Sequence, residues 1–206
     1  MYSDSMKINK ALPIYAIIFS IFLFFLQHIS QLPPQAKNID SPPEVFSAER
    51  AYETLKFLLK ENKPHPVGSD LNKVIKGRLI DELEKLDIRY EVQKTWACAS
   101  RYAGCAEVEN LIGIIPGKTK APYLAIMAHY DSVPMASGAG DDGAGVVAIL
   151  EAARVLKLEA PYDYPIMLLL TDAEENGLIG AEAFFGQHPL AKDCLLYTSP
   201  SPRDVS

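Results

Sequence analysis

The residues best equipped for chemistry stand in two stretches, "AHYDSVPMASGAGDDGAG" (Ala128–Gly145) and "TDAEENG" (Thr171–Gly177). The first sets His129, Asp131, Asp141 and Asp142 among small residues, and the second holds the pair Glu174–Glu175. So many acids gathered on one rim would raise one another's pKa unless a cation intervened. An imidazole with carboxylates is a donor set that suits zinc, with positions left for water or substrate. Asp131 follows His129 by two residues and is better placed to orient the imidazole than to bind metal itself. Gly138 and Gly140 allow the backbone to approach closely. Each piece has a bland reading when taken singly: a polar residue at a strand end, an Asp-Asp-Gly turn, a Glu-Glu-x-Gly loop start. Their joint placement at neighbouring strand ends favours a site.

The elements that must position these residues follow from periodicity. "YLAIMAH" and "YPIMLLLTD" are short apolar runs that suit strands of a covered sheet, and "GAGVVAILEAARVLKL" between them has helical spacing. Strand, helix, strand in that order is a βαβ unit with parallel strands. It delivers His129 and Asp131, Asp141, and Glu174 and Glu175 to the carboxyl ends of strands, where open α/β sheets bind ligands. Upstream, "RYEVQ" alternates as a strand and "NLIGIIPG" reads as another. Before them come two amphipathic helices. One has Ala51, Leu55, Leu58 and Leu59 on one face, with Ser47 as its N-cap. The other has Leu71, Val74, Ile75, Leu79, Leu83 and Leu86 at helical spacing. His65 and Ser69, in "HPVGS", are assigned to a structural turn between these helices. His188 is assigned to a helix end at the surface.

The chain has 206 residues, 49% hydrophobic and 22% charged, which fits a globular domain with an appendage. A net charge of -6 leaves no excess of Lys and Arg to neutralise phosphates, so nucleic acid is excluded as a partner. The appendage is N-terminal. Lys7 and Lys10 precede an uncharged apolar run from Ala11 to Leu26. With no small-x-small cleavage site after it, the run is expected to be an uncleaved membrane anchor with the N-terminus in the cytoplasm. The expected organisation is a cytoplasmic N-terminus over 1–10, a transmembrane anchor over 11–30 and a proline-containing linker over 31–45. The main domain is expected over 46–193, with a disordered tail over 194–206. Cys98 and Cys105, in "WACASRYAGC", either close a small disulfide loop or remain two free thiols.

"HYDSVP", "GAGDDGAGVVAILEAARVL" and "LLLTDAEENGLIGAEAFF" resemble the signature segments of metallopeptidase family 28, the di-zinc aminopeptidases. "FSAERAYETLKFL" and "PHPVGSDLNKVIKGRLIDELEKL" resemble its membrane-bound branch, the endoplasmic reticulum metallopeptidases and vacuolar membrane proteases. The resemblance spans about Phe46 to Asp193. It implies an α/β fold with a mostly parallel sheet flanked by helices, incomplete here, and preceded by one transmembrane helix. It implies His129 as a ligand of one zinc, Asp141 as the bridge between two zincs, Glu175 as a ligand of the second, Glu174 as general base and Asp131 as the orienting partner of His129. The substrate would be a peptide or protein, met on the exoplasmic side of a membrane.

The resemblance also implies one further carboxylate and one further His beyond Glu175. "CLLYTSPSPRDVS" offers only Asp204, in a proline-rich context. The sequence is therefore expected to be a fragment that, made alone, binds zinc weakly and hydrolyses little. Two other readings compete. One is a membrane-anchored binding protein that keeps the peptidase fold without its chemistry, and the other is a single-zinc acyltransferase of the glutaminyl cyclase type.

Overall fold

The computed structural model of the chain describes residues 12–32, 34–100 and 104–195. Lys7, Lys10, Ala11 and the Ser199–Pro202 and Asp204 part of the tail lie outside the described residues. The chain divides into two units, Met1–Ala36 and Lys37–Ser206.

The first unit holds α1, Leu12–Ser30. Its segment Pro13–Ser30 has a mean hydropathy of 1.8, and by length and composition it could cross the hydrocarbon core of a bilayer. Its apolar side chains, Phe22 and Phe24 among them, are exposed rather than packed, unlike those of a core helix.

The second unit begins with a strap. Residues Lys37 to Val45 lack regular structure, yet their carbonyls are held by side chains of the folded body. Arg50 donates to the carbonyls of Ile39, Ser41 and Val45, Arg154 to those of Pro43 and Val45, and Ser47 Oγ to that of Asn38. Glu151, buried in the middle of a helix, ties both arginines together and accepts from Ser47 N. The linker predicted over 31–45 is thus bound to the domain over its second half. The reason is long-range charge pairing, which local composition does not display.

Ser47 caps α2, Ala48–Leu58, by accepting from Arg50 N, as the sequence predicts, and Ser69 caps α3, Asp70–Lys85, by accepting from Asn72 N. Ile75, Leu79 and Leu83 of α3 face the core, while Val74, predicted on that face, is exposed. Arg78 takes a place on the buried side, where it donates to Leu58 O and makes a two-pronged pair with Glu61.

Then come β1 (Arg89–Cys98), β2 (Cys105–Ile115), β3 (Tyr123–His129), α4 (Ala144–Glu159), β4 (Ile166–Thr171), α5 (Ile179–Gln187) and β5 (Cys194–Leu195). The sheet order is β1-β2-β4-β3-β5. β3 and β4 pair in parallel across α4, as the βαβ pattern requires, and β3–β5 is parallel too. β1–β2 and β2–β4 are antiparallel. The sheet is therefore mixed: its first two strands form a hairpin that enters beside β4 in the opposite sense. Cys98 stands opposite Cys105 in that hairpin and the two sulfurs are bonded, so the disulfide alternative holds. Cys194 and Leu195, placed by the sequence at the head of the tail, form β5 instead.

Alternation along the central strands divides the core. Ile166, Leu168 and Leu170 of β4 pack with Leu111 and Ile115 of β2 under α2, α3 and α4. Met167 and Leu169 point the other way, onto Phe184 of α5. Every residue of β4 is buried, and this two-sided cover holds the carboxyl ends of β3 and β4 side by side.

Candidate metal centre

His129 closes β3 and is 7% exposed. Its Nδ1 stands 3.1 Å from the backbone oxygen of Asp131 and 3.4 Å from Asp131 Oδ1. Its Nε2 faces outward, 3.1 Å from Asp141 Oδ1 and 3.8 Å from Glu174 Oε2. One donor atom each from His129, Asp141 and Glu175 lie within 4.8 Å of one another, the one group of this kind among the described residues. With Nδ1 donating to Asp131, Nε2 faces the same space as the two carboxylates and, once deprotonated, would offer its lone pair there. One imidazole nitrogen and two carboxylate oxygens fit a divalent transition metal, zinc above all.

Burial alone would lower the His129 pKa. The carboxylate of Asp131, followed by those of Asp141 and Glu174, outweighs it and carries the imidazole up to about 9. Glu175 is raised as well, first by burial and then by the nearby negative charge of Asp141, with His129 opposing. A rim that holds a proton this firmly on imidazole has the electrostatics of a cation site.

Asp131 does more than the sequence suggests. It is 1% exposed, and its carboxylate accepts from Glu174 N at 2.9 Å and from Glu175 N at 3.2 Å. One buried carboxylate thus orients the imidazole and fixes the backbone beneath both glutamates. Asp141 and Asp142, neighbours in sequence, part company. Asp141 turns to His129, whereas Asp142 Oδ1 accepts from Gly145 N at 3.1 Å and satisfies an orphan donor at the start of α4. The loop that carries them turns at Gly138, whose φ is +65°. A Cβ there would stand 2.9 Å from Ser132 Cβ and 3.2 Å from His65 Cε1, so the turn requires glycine on both counts.

His65 is buried beside this loop and exchanges hydrogen bonds with Ser132, donating through its backbone N at 2.8 Å. It braces the strand end, as the structural reading of "HPVGS" expects. His188 lies at the end of α5, stacked on Phe184 and paired with Glu91, and does not join the metal-capable group. Asp172 follows β4 directly and is 2% exposed. This buried acid accepts from Asn72 Nδ2, Glu109 N and Ala173 N. Burial and the charge of Asp131 raise its pKa to about 6. Its partners on α3 and β2 lie far away in sequence, so no local motif marks it.

The chain is an α/β protein whose mixed sheet, flanked by helices, carries a metal-capable rim at the ends of its parallel strands. Residues 110–198 match the sequence profile of peptidase family M28. Among curated relatives, the chain is similar to aminopeptidase YwaD of Bacillus subtilis, at 45% identity over 37% of this chain and 17% of that protein. It is also similar to the vacuolar membrane protease of Coprinopsis cinerea, at 29% identity over 85% of this chain and 19% of that one. Among solved structures it resembles a Zn-dependent exopeptidase from Parabacteroides distasonis (TM-score 0.59, 24% identity, 70% of this chain and 56% of that one). It also resembles the glutaminyl cyclase of Porphyromonas gingivalis (TM-score 0.60, 23% identity, 70% of this chain and 54% of that one). The chain is thus similar to peptidase family M28 over residues 110–198, less than half of its length. It spans about a fifth of the length of its first curated relatives, 17%, 19% and 22% for the leading three.

Proposed function

We propose that this chain contributes to a membrane-anchored zinc metallopeptidase of aminopeptidase type. The observation that carries the reading is the convergence of His129, Asp141 and Glu175 within 4.8 Å, with the Glu174 carboxylate beside them. When bound, zinc supplies Lewis acidity to a scissile carbonyl and to a water. The chain's own residues do the rest. Asp131 holds His129 so that its Nε2 would be free to ligate the metal. Glu174 accepts a proton from the attacking water at its carboxylate and returns it to the leaving amine. Glu175 and Asp141 would serve as ligands together with His129. The family M28 match over residues 110–198 and the names of the curated relatives support peptide or protein substrates.

The apolar helix α1 and the vacuolar membrane protease relatives support a membrane anchor. We place the domain on the exoplasmic side, where the Cys98–Cys105 disulfide would persist. The further carboxylate and His that complete such a site are not among the residues gathered here, so weak zinc binding and little hydrolysis are expected of these 206 residues alone. The likeness to glutaminyl cyclases speaks to the fold.

Zinc titration and the release of N-terminal residues from short peptides test the proposal together. The expected result is slow zinc-dependent hydrolysis that Glu174→Gln lowers to the uncatalysed background while zinc binding stays. Equal hydrolysis by Glu174→Gln would remove Glu174 as base. Zinc binding with no hydrolysis at all would favour the non-catalytic binding protein.

A further inference from the structure

Asn110 lies on β2 and is 0% exposed. The β2–β4 ladder ends one residue away, at Leu111↔Leu170. Beyond that pair the strands part, and the Asn110 side chain takes over from the backbone. Its Oδ1 accepts from Asp172 N at 3.0 Å. Its Nδ2 donates to Gly180 O at 2.8 Å and to Gln93 Oε1 at 2.9 Å. Asp172 and Gly180 are the two ends of the segment that carries Glu174 and Glu175. One planar carboxamide therefore spans the neck of that loop.

The neck is built to close this tightly. A Cβ on Gly180 would fall 2.6 Å from Asn110 Oδ1 and 2.1 Å from Asp172 O, so only glycine admits the contact. Within the loop, Gly177 N and Leu178 N donate to Glu174 O, and Ile179 N donates to Ala173 O. Ala173 and Leu178 both have positive φ. The segment is a compact turn that keeps its shape as long as its two ends stay together.

We infer that Asn110 is a positioning residue for the metal centre: by clamping Asp172 to Gly180 it sets where the carboxylates of Glu174 and Glu175 stand relative to His129. This rests on the metallopeptidase reading above. An apolar residue in its place would leave a buried N–H and a buried C=O without partners, and they reach water only if the loop opens. Opening the neck moves the glutamates, while the β2–β4 ladder, which stops short of Asn110, stays paired.

The test uses the full chain in detergent micelles. Zn2+ affinity is measured by calorimetry and ligand geometry by the visible spectrum of bound Co2+. Asn110→Leu is expected to weaken Zn2+ binding by about tenfold to a hundredfold, as loss of an outer-sphere support does, and to shift the Co2+ bands. Gln93→Leu removes a neighbour of Asn110 but neither clamp bond. It is expected to lower the melting temperature while leaving Zn2+ affinity as in the wild type. Wild-type Zn2+ affinity in Asn110→Leu overturns the inference alone, and so does an equal loss in Gln93→Leu. Absence of Zn2+ binding by the wild-type chain overturns the underlying reading and the inference with it. Should Asn110→Leu not fold, amide exchange of the wild type decides. The clamp requires the Asp172 amide to be protected at least as well as those of Glu174 and Glu175, and faster exchange at Asp172 overturns it.

Discussion

The glycine loop Gly138–Gly143 and the glutamate loop Asp172–Gly180 bring carboxylates to the same rim by different means. In the glycine loop the backbone passes close to bulky neighbours, and Gly143 N closes it on Gly138 O at 2.8 Å. Asp141 projects from it with its side chain 84% exposed, touching His129 and otherwise open to solvent. The glutamate loop is held from below by buried side chains, above all the carboxylate of Asp131 on two successive amides. One loop is shaped by what its glycines lack and the other by polar groups placed beneath it. The donor set is thus half fixed: His129 and Glu175 stand on buried supports, while the Asp141 carboxylate keeps room to turn.

The comparison is broken most directly at Asp131. Asp131→Ala should reduce zinc affinity by at least about a hundredfold, because the imidazole and both glutamate amides lose their partner at once. Calorimetry measures the loss. Amide exchange should show Glu174 and Glu175 deprotected while Gly143 stays protected. A loss of less than about tenfold would mean that the glutamate loop stands without its acceptor.

A pH series sharpens the same contrast. Asp172, beneath the glutamate loop, rises from an ordinary 3.8 to about 6 in the folded chain. The folded state therefore binds its proton more tightly than the unfolded state does. The resulting stability is fully present below pH 4 and is lost as pH rises through about 6. Urea unfolding should show the wild type losing roughly 3 kcal/mol relative to Asp172→Asn across that window. A constant difference between the two would show that Asp172 is not the strained support it resembles. The smallest effect belongs to the glycine loop. Asp142→Ala should cost about 1 kcal/mol of thermal stability through the start of α4 and leave zinc affinity unchanged. An affinity loss as large as that of Asp131→Ala would mean that this loop, too, depends on an anchoring side chain.

What the sequence displays is what repeats locally. The β3–α4–β4 unit is legible because apolar runs and helical spacing are short-range patterns, and His129, Asp141 and Glu175 are legible because they fall where those runs end. Asp142 next to Asp141 looks equivalent until the backbone turns one side chain toward the rim and the other toward α4. The supports are not legible. Asp172 meets Asn72 across 100 residues of sequence, and Ser47 meets Glu151 across 104. A buried Asn, Asp or Glu carries no mark of its distant partner. The mixed sense of the sheet escapes for a similar reason: the β1–β2 hairpin is visible as two strands, but its antiparallel entry beside β4 is a tertiary choice.

To a protease, the folded body of this chain starts at Lys37. Cleavage requires a stretch of backbone to leave its bonds and extend into the enzyme's cleft, which favours exposed, unbonded segments. The carbonyls of Ile39, Ser41, Pro43 and Val45 are occupied by Arg50 and Arg154. A cut among them would strip two guanidinium groups of their acceptors around the buried Glu151. A cut ahead of Lys37 would detach α1 and leave that cluster whole.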